Sequence, residues 1–96
     1  MISSPSLTLR WPAKDPDAVL DYSVDWTDWL DGDTISTSAW TVPSGITQTS
    51  ASTTTLITTI WLSGGSGGRT YEIKNRIVTA AGRTEERTIR LPVRTR

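Results

Sequence analysis

Tyr71-Glu72-Ile73-Lys74-Asn75-Arg76-Ile77-Val78-Thr79 alternates strictly, and its reading decides the fold. Tyr71, Ile73, Asn75, Ile77 and Thr79 hold one parity; Glu72, Lys74, Arg76 and Val78 hold the other. Successive strand side chains point to opposite sides, so this pattern sets one face on a core and the other toward water. Ala80-Ala81-Gly82-Arg83 follows as a turn, and Arg87 to Val93 returns with Ile89, Leu91 and Val93 on one face. The two runs are the clearest hairpin in the chain. In immunoglobulin and fibronectin type III sandwiches, a tyrosine near the start of the penultimate strand bonds back to the preceding corner. Tyr71 occupies that place and is read as a tyrosine corner; the simpler reading is a core aromatic that favours strands.

Working back toward the N-terminus, Ser63-Gly64-Gly65-Ser66-Gly67-Gly68 has the composition of a flexible linker. The remainder is too short for a second domain, so the run is a loop between strands. Thr54 to Leu62 is a strong strand: Leu56, Ile60 and Leu62 mark one parity, Ile57 and Trp61 the other. Apolar residues on both faces mean a covered strand or an exposed face awaiting a neighbour. Ile46 to Ser50 is short and weak, set off by the Pro43-Ser44-Gly45 turn. Thr34 to Val42 reads as a strand region with Ile35, Trp40 and Val42 as its apolar members, after a turn at Asp31-Gly32-Asp33. Leu20, Tyr22, Val24 and Trp26 alternate with Asp21, Ser23 and Asp25, giving a half-buried strand with an acidic outer face. Pro12 and Pro16 bracket a polar connector, and Leu7 to Trp11 makes a short first strand. No window carries a sustained helical period. The expectation is an all-β fold, an immunoglobulin-like or fibronectin type III-like antiparallel β-sandwich of about seven strands. Residues 1–12 form an arm with the short first strand, and 13–96 a single domain.

With 96 residues, such a domain hides only roughly 60–65% of its unfolded surface, so its core must be efficient. Five Trp serve that need, each burying about 150–250 Å², and there is no Phe. Cys is absent, which removes disulfides and thiolate chemistry; His is absent, which removes the commonest general base and metal ligand. The formal net charge is zero, so no global field draws nucleic acid or membrane. No apolar run approaches the ~18 residues of a membrane span, and no signal peptide is read at the N-terminus. The chain is therefore expected to be made in the cytoplasm.

Charge is nonetheless segregated. All seven Asp lie between Asp15 and Asp33, and eight of the ten basic residues between Arg69 and Arg96. Two readings stand: solvated faces whose strands attract each other within the fold, or head-to-tail contact between neighbouring copies.

Asp25-Trp26-Thr27-Asp28-Trp29-Leu30-Asp31-Gly32-Asp33 is the most distinctive stretch. Its carboxylates and glycine suggest calcium, yet the spacing departs from the EF-hand loop and no Glu follows within reach. Asp at turns more often bonds its own backbone. Trp26 is in phase with Tyr22 and Val24 and reads as core; Trp29 is out of phase, open to a sugar platform or, better, to burial against another protein. Nothing in the spacing of the carboxylates selects an acid–base pair, and the glycine run lacks the Lys-Ser/Thr of a phosphate loop. No catalytic residue, cofactor or metal ligand is assigned. Asp25, Asp28, Trp29 and Asp31, with Arg90, Arg94 and Arg96 on the basic final strand and tail, form the candidate partner interface.

Asp15 to Leu30, Asp33-Thr34-Ile35, Trp40-Thr41-Val42-Pro43, Trp61-Leu62-Ser63-Gly64-Gly65, Asn75-Arg76-Ile77-Val78-Thr79 and Ala81-Gly82-Arg83-Thr84 together carry a family resemblance. They resemble the phage fiber–tail adaptor proteins, small proteins encoded among phage and prophage structural genes, over about residues 13–94. The resemblance implies an immunoglobulin-like structural component of a tailed-phage virion, an adaptor in tail or neck acting through protein–protein contacts. It implies other virion proteins of tail, neck or capsid as partners, repeated copies in a symmetric assembly, and no catalytic residues. The alternatives on the same fold are a capsid decoration protein and a carbohydrate- or cell-surface-binding module.

Overall fold

A computed structural model describes residues 8–95. Among these, seven strands form: β1 (Thr8–Arg10), β2 (Leu20–Asp25), β3 (Ile35–Thr41), β4 (Ile46–Thr53), β5 (Ile57–Gly64), β6 (Thr70–Thr79) and β7 (Thr84–Pro92). A single helical turn, α1 (Thr27–Leu30), interrupts them. The strands make two sheets, one ordered β1-β7-β6-β3 and the other β2-β5-β4.

β6 is the spine. It buries alternate side chains from Tyr71 to Thr79, as its sequence dictates, and pairs antiparallel with β7 from Thr70↔Pro92 to Val78↔Thr84. β3 flanks β6 antiparallel, with a bulge between Ile35 and Thr37. β1 runs parallel to β7 at the edge of this otherwise antiparallel sheet. In the second sheet β5 lies between β2 and β4, antiparallel to both.

The sheets close on one core with two ends. At one end Tyr22, Ile60 and Leu62 meet Tyr71, Ile73, Leu91 and Val93; at the other Val24, Trp26 and Leu30 meet Ile35, Ile77 and Ile89. Trp11 and Trp40 pack against both, and Trp11 stacks on Tyr22 with centroids 4.7 Å apart. Burial of this kind contributes roughly 25 cal/mol per Å² of apolar surface.

Several local readings change. Thr54 and Leu56 precede β5 in a turn, where the Thr54 hydroxyl accepts N–H bonds from Leu56 and Ile57. The inward set of β5 is thus Thr58, Ile60 and Leu62, and Leu56 is exposed. β4 extends to Thr53, yet buries only Ile46. Leu20 is exposed at the head of β2. The polar connector hides a fully buried side chain: Lys14 bridges Val93 by its backbone, and its Nζ donates to the carbonyls of Asp15 at 2.9 Å and Gly64 at 2.7 Å.

Candidate partner interface

The acidic stretch folds into a corner rather than an open ribbon. The Asp25 carboxylate accepts the Thr27 N–H at 3.0 Å and the Thr27 hydroxyl, which starts α1. Those bonds, led by the Thr27 hydroxyl and aided by the nearby Arg87, hold Asp25 below the usual carboxylate range. α1 ends at Asp31, which takes left-handed backbone angles (φ 49°) and donates its N–H to the Thr27 carbonyl. Asp and Asn tolerate that conformation better than most residues. Asp28 and Asp31 are exposed.

Trp29 is half-buried, not free. Its ring meets Trp26 edge-on at 5.7 Å, and the Arg83 guanidinium lies 4.4 Å over it. Arg83 also donates to the Leu30 carbonyl at 2.7 Å and pairs with Asp33 at 3.2 Å. The Thr79 hydroxyl, then the Thr34 N–H, Arg83 and the Ala81 N–H, depress the Asp33 carboxyl against the opposing effect of burial. Arg87 lies 4.2 Å over Trp26. Burial draws its guanidinium down, while Glu85 and Asp25 oppose that. Asp33 and Asp25 of the acidic stretch thus face Arg83 and Arg87 of the basic one within one molecule. A shallow open depression lined by Leu30, Asp31, Gly32, Asp33, Ala81 and Arg83 lies beside the corner.

The basic members of the candidate set lie elsewhere. Arg90 is exposed on the outer face of the four-stranded sheet, 3.6 Å from Glu72. Arg94 is exposed beyond β7, and its N–H bonds the Lys14 carbonyl at 2.9 Å. The nine residues of β7, roughly 30 Å of strand, separate that end from the α1 corner. Arg96 lies outside the described residues. The acidic and basic members therefore form two surfaces.

Tyr71 is buried at the start of β6, and its phenol oxygen accepts the Ser66 N–H at 2.9 Å. That bond holds the phenol below its ordinary pKa. The ring lies between two glycines with positive φ: a Cβ on Gly45 would come within 3.2 Å of it and one on Gly65 within 3.5 Å. The glycine-rich loop is further held by the Gly68 N–H on the Val93 carbonyl and the Val93 N–H on the Arg69 carbonyl, each 2.8 Å.

The sequence set omitted Lys14, Arg83, Arg87 and Trp61. Parity against Leu62 was the signal available for Trp61, which stands exposed at the centre of the three-stranded sheet. Among the described residues, no three acidic side chains gather as a metal site would require. No helix among them is long and apolar enough to cross a membrane.

Two packed sheets, with an acidic corner whose carboxylates accept bonds from neighbouring backbone N–H groups, define the chain as a small all-β module. Within that class, the chain belongs to the family described as podophage GP4 fiber-tail adaptor protein gp77, which matches residues 14–92. None of the curated proteins matches the chain.

Proposed function

We propose that this chain is a non-enzymatic structural adaptor of a tailed-phage virion, joining fiber and tail components through protein–protein contacts. The observation that carries the reading is the family match over residues 14–92, which spans nearly every strand. Its description favours the tail over the neck or capsid surface. The chain is made in the host cytoplasm, where the lack of Cys suits a reducing compartment.

The fold beneath this role is an immunoglobulin-like sandwich occupying residues 13–96, with 1–12 as an arm carrying β1. The support is the strand order. β2, β5 and β4 correspond to strands B, E and D, and β3, β6 and β7 to C, F and G. Tyr71 acts as the tyrosine corner, with its bond to Ser66 in the loop before β6 as the support. The α1 corner, with Asp25, Asp28, Trp29 and Asp31, contacts one neighbour; Arg90 and Arg94 face another.

Electron microscopy of intact particles tests the placement. Density for the chain is expected where fiber meets tail, and particles lacking the gene are expected to have tails without fibers. Density on the capsid overturns the adaptor reading. Trp29→Ala particles assembled at normal yield, with fibers attached, overturn the α1 corner as a contact.

A further inference from the structure

The zero net charge conceals two sheet faces of opposite sign. No strand of the three-stranded sheet carries Lys or Arg: β2 is LDYSVD, β4 ITQTSAST and β5 ITTIWLSG. Register arranges its outward side chains in rows. Asp21, Trp61 and Ser50 cross the sheet in one row, Ser23, Thr59 and Ser52 in the next, and Asp25 stands opposite Ile57 in a third. Trp61 is 40% exposed and Ile57 36% exposed, both on the central strand. The face thus carries the carboxylates of Asp21 and Asp25, the latter bonded to Thr27 with Arg87 at the rim, and the exposed side chains of Trp61 and Ile57 on its central strand.

The outer face of the four-stranded sheet is its counterpart. Arg10, Lys74, Arg76 and Arg90 stand exposed there against Glu72 and Glu86, a surplus of two positive charges. Val78 is exposed on the same parity.

We infer that the acidic, tryptophan-bearing face of one copy docks on the basic face of a second copy, head to tail. Charge selects this occupant. Two acidic faces, or two basic ones, repel each other, so neither face suits its own kind. Each finds in the other a complementary surface with the same row spacing, roughly 7 Å, set by the strand repeat. Zero net charge removes the long-range repulsion that keeps charged chains apart. Arg76 and Lys74 supply cations for the Trp61 ring, a contact the fold already makes twice, Arg83 on Trp29 and Arg87 on Trp26. Because the two surfaces differ, the contact is heterologous: each copy keeps one unused face, and the contact propagates as a ring or filament. The inference needs only the isolated chain and stands apart from the adaptor reading.

Sedimentation velocity on the full chain tests it. At low ionic strength and millimolar concentration, species larger than the monomer are expected, and they shrink toward the monomer at about 1 M salt, where the Debye length is near 3 Å. Asp21→Thr with Trp61→Thr removes one face; Lys74→Thr with Arg76→Thr removes the other. All four positions point outward, and circular dichroism checks that both variants fold. Each variant alone is expected to be monomeric, and their equimolar mixture to form a dimer and nothing larger. A wild-type chain that stays monomeric under these conditions overturns the inference. So does either variant that associates like the wild type, or a mixture that remains monomeric.

Discussion

Trp26 donates its indole N–H across the sandwich to the Asn75 side-chain carbonyl at 3.1 Å, and both residues are fully buried. The Thr58 hydroxyl donates to the same oxygen at 2.7 Å and lies 3.2 Å from the indole nitrogen. The Asn75 amide donates in turn to Ser38 Oγ and the Ala39 carbonyl. This one amide therefore links Trp26 beyond β2, Thr58 on β5 and two residues of β3. Asn75→Leu keeps most of the volume but takes the acceptor from the buried Thr58 hydroxyl, one of two acceptors from the Trp26 indole, and the side-chain donor from Ser38 Oγ and the Ala39 carbonyl. Each abandoned buried group costs about 1–3 kcal/mol. Urea denaturation is expected to show a loss of about 2–4 kcal/mol for Asn75→Leu, and about 1 kcal/mol for Thr58→Val, since Trp26 then keeps Asn75. Equal losses for the two variants count against the amide as the centre of the network.

Asp33 gives the fold an acid-sensitive joint. Its carboxyl lies below its ordinary value of 3.8, so folding favours the charged form. That contribution is complete above pH 3.8 and is lost as pH falls through the lower, folded-state value. Asp33→Asn is expected to melt below the wild type at neutral pH, with the gap closing as pH drops beneath 3.8. Asp25 is depressed as well but is present in both proteins, so the difference isolates Asp33. A gap constant from pH 6 to 2.5 assigns the loss to packing alone.

Gly65 and Gly68 separate backbone strain from crowding. Both have positive φ, 94° and 84°. A Cβ on Gly65 would lie 2.9 Å from Val93 Cγ2, while one on Gly68 meets open space. Gly68→Ala is expected to cost about 1–2 kcal/mol from backbone strain alone, and Gly65→Ala clearly more, because Val93 is fully buried and has little room to move. Thermal melts that rank them the other way count against the close packing of this loop on the Tyr71 end of the core.

Elements governed by period were legible in the sequence. Parity in Tyr71 to Thr79 set the inward face of β6, and parity with Tyr22 and Val24 put Trp26 in the core. What stayed hidden depends on contacts between distant segments. Trp29 is out of phase with β2, as read, but Arg83 of the β6–β7 turn covers it, which no local pattern reveals. β4 carries strand-forming residues and lies at a sheet edge, so its burial follows from position rather than composition. The α1 turn spans four residues, too short a feature for a periodic signal.

Lys14 is the hardest of these to foresee, because lysine is almost never fully buried without compensation. Its ammonium is held by the Asp15 and Gly64 carbonyls, tying the segment before β2 to the end of β5. Burial lowers its pKa beneath 10.5, against the pull of Asp15 and Asp17. The folded chain then binds fewer protons than the unfolded chain between the lowered value and 10.5, so stability rises with pH across that window. Lys14→Met removes the titrating group and leaves the Gly64 carbonyl on an exposed residue, where water replaces the ammonium. Tyr71, also lowered, raises stability with pH in both proteins and cancels in the comparison. The wild type is therefore expected to gain on Lys14→Met as pH climbs from 8 toward 10.5. Parallel melting curves over that range show that Lys14 keeps an ordinary pKa and that water reaches its ammonium.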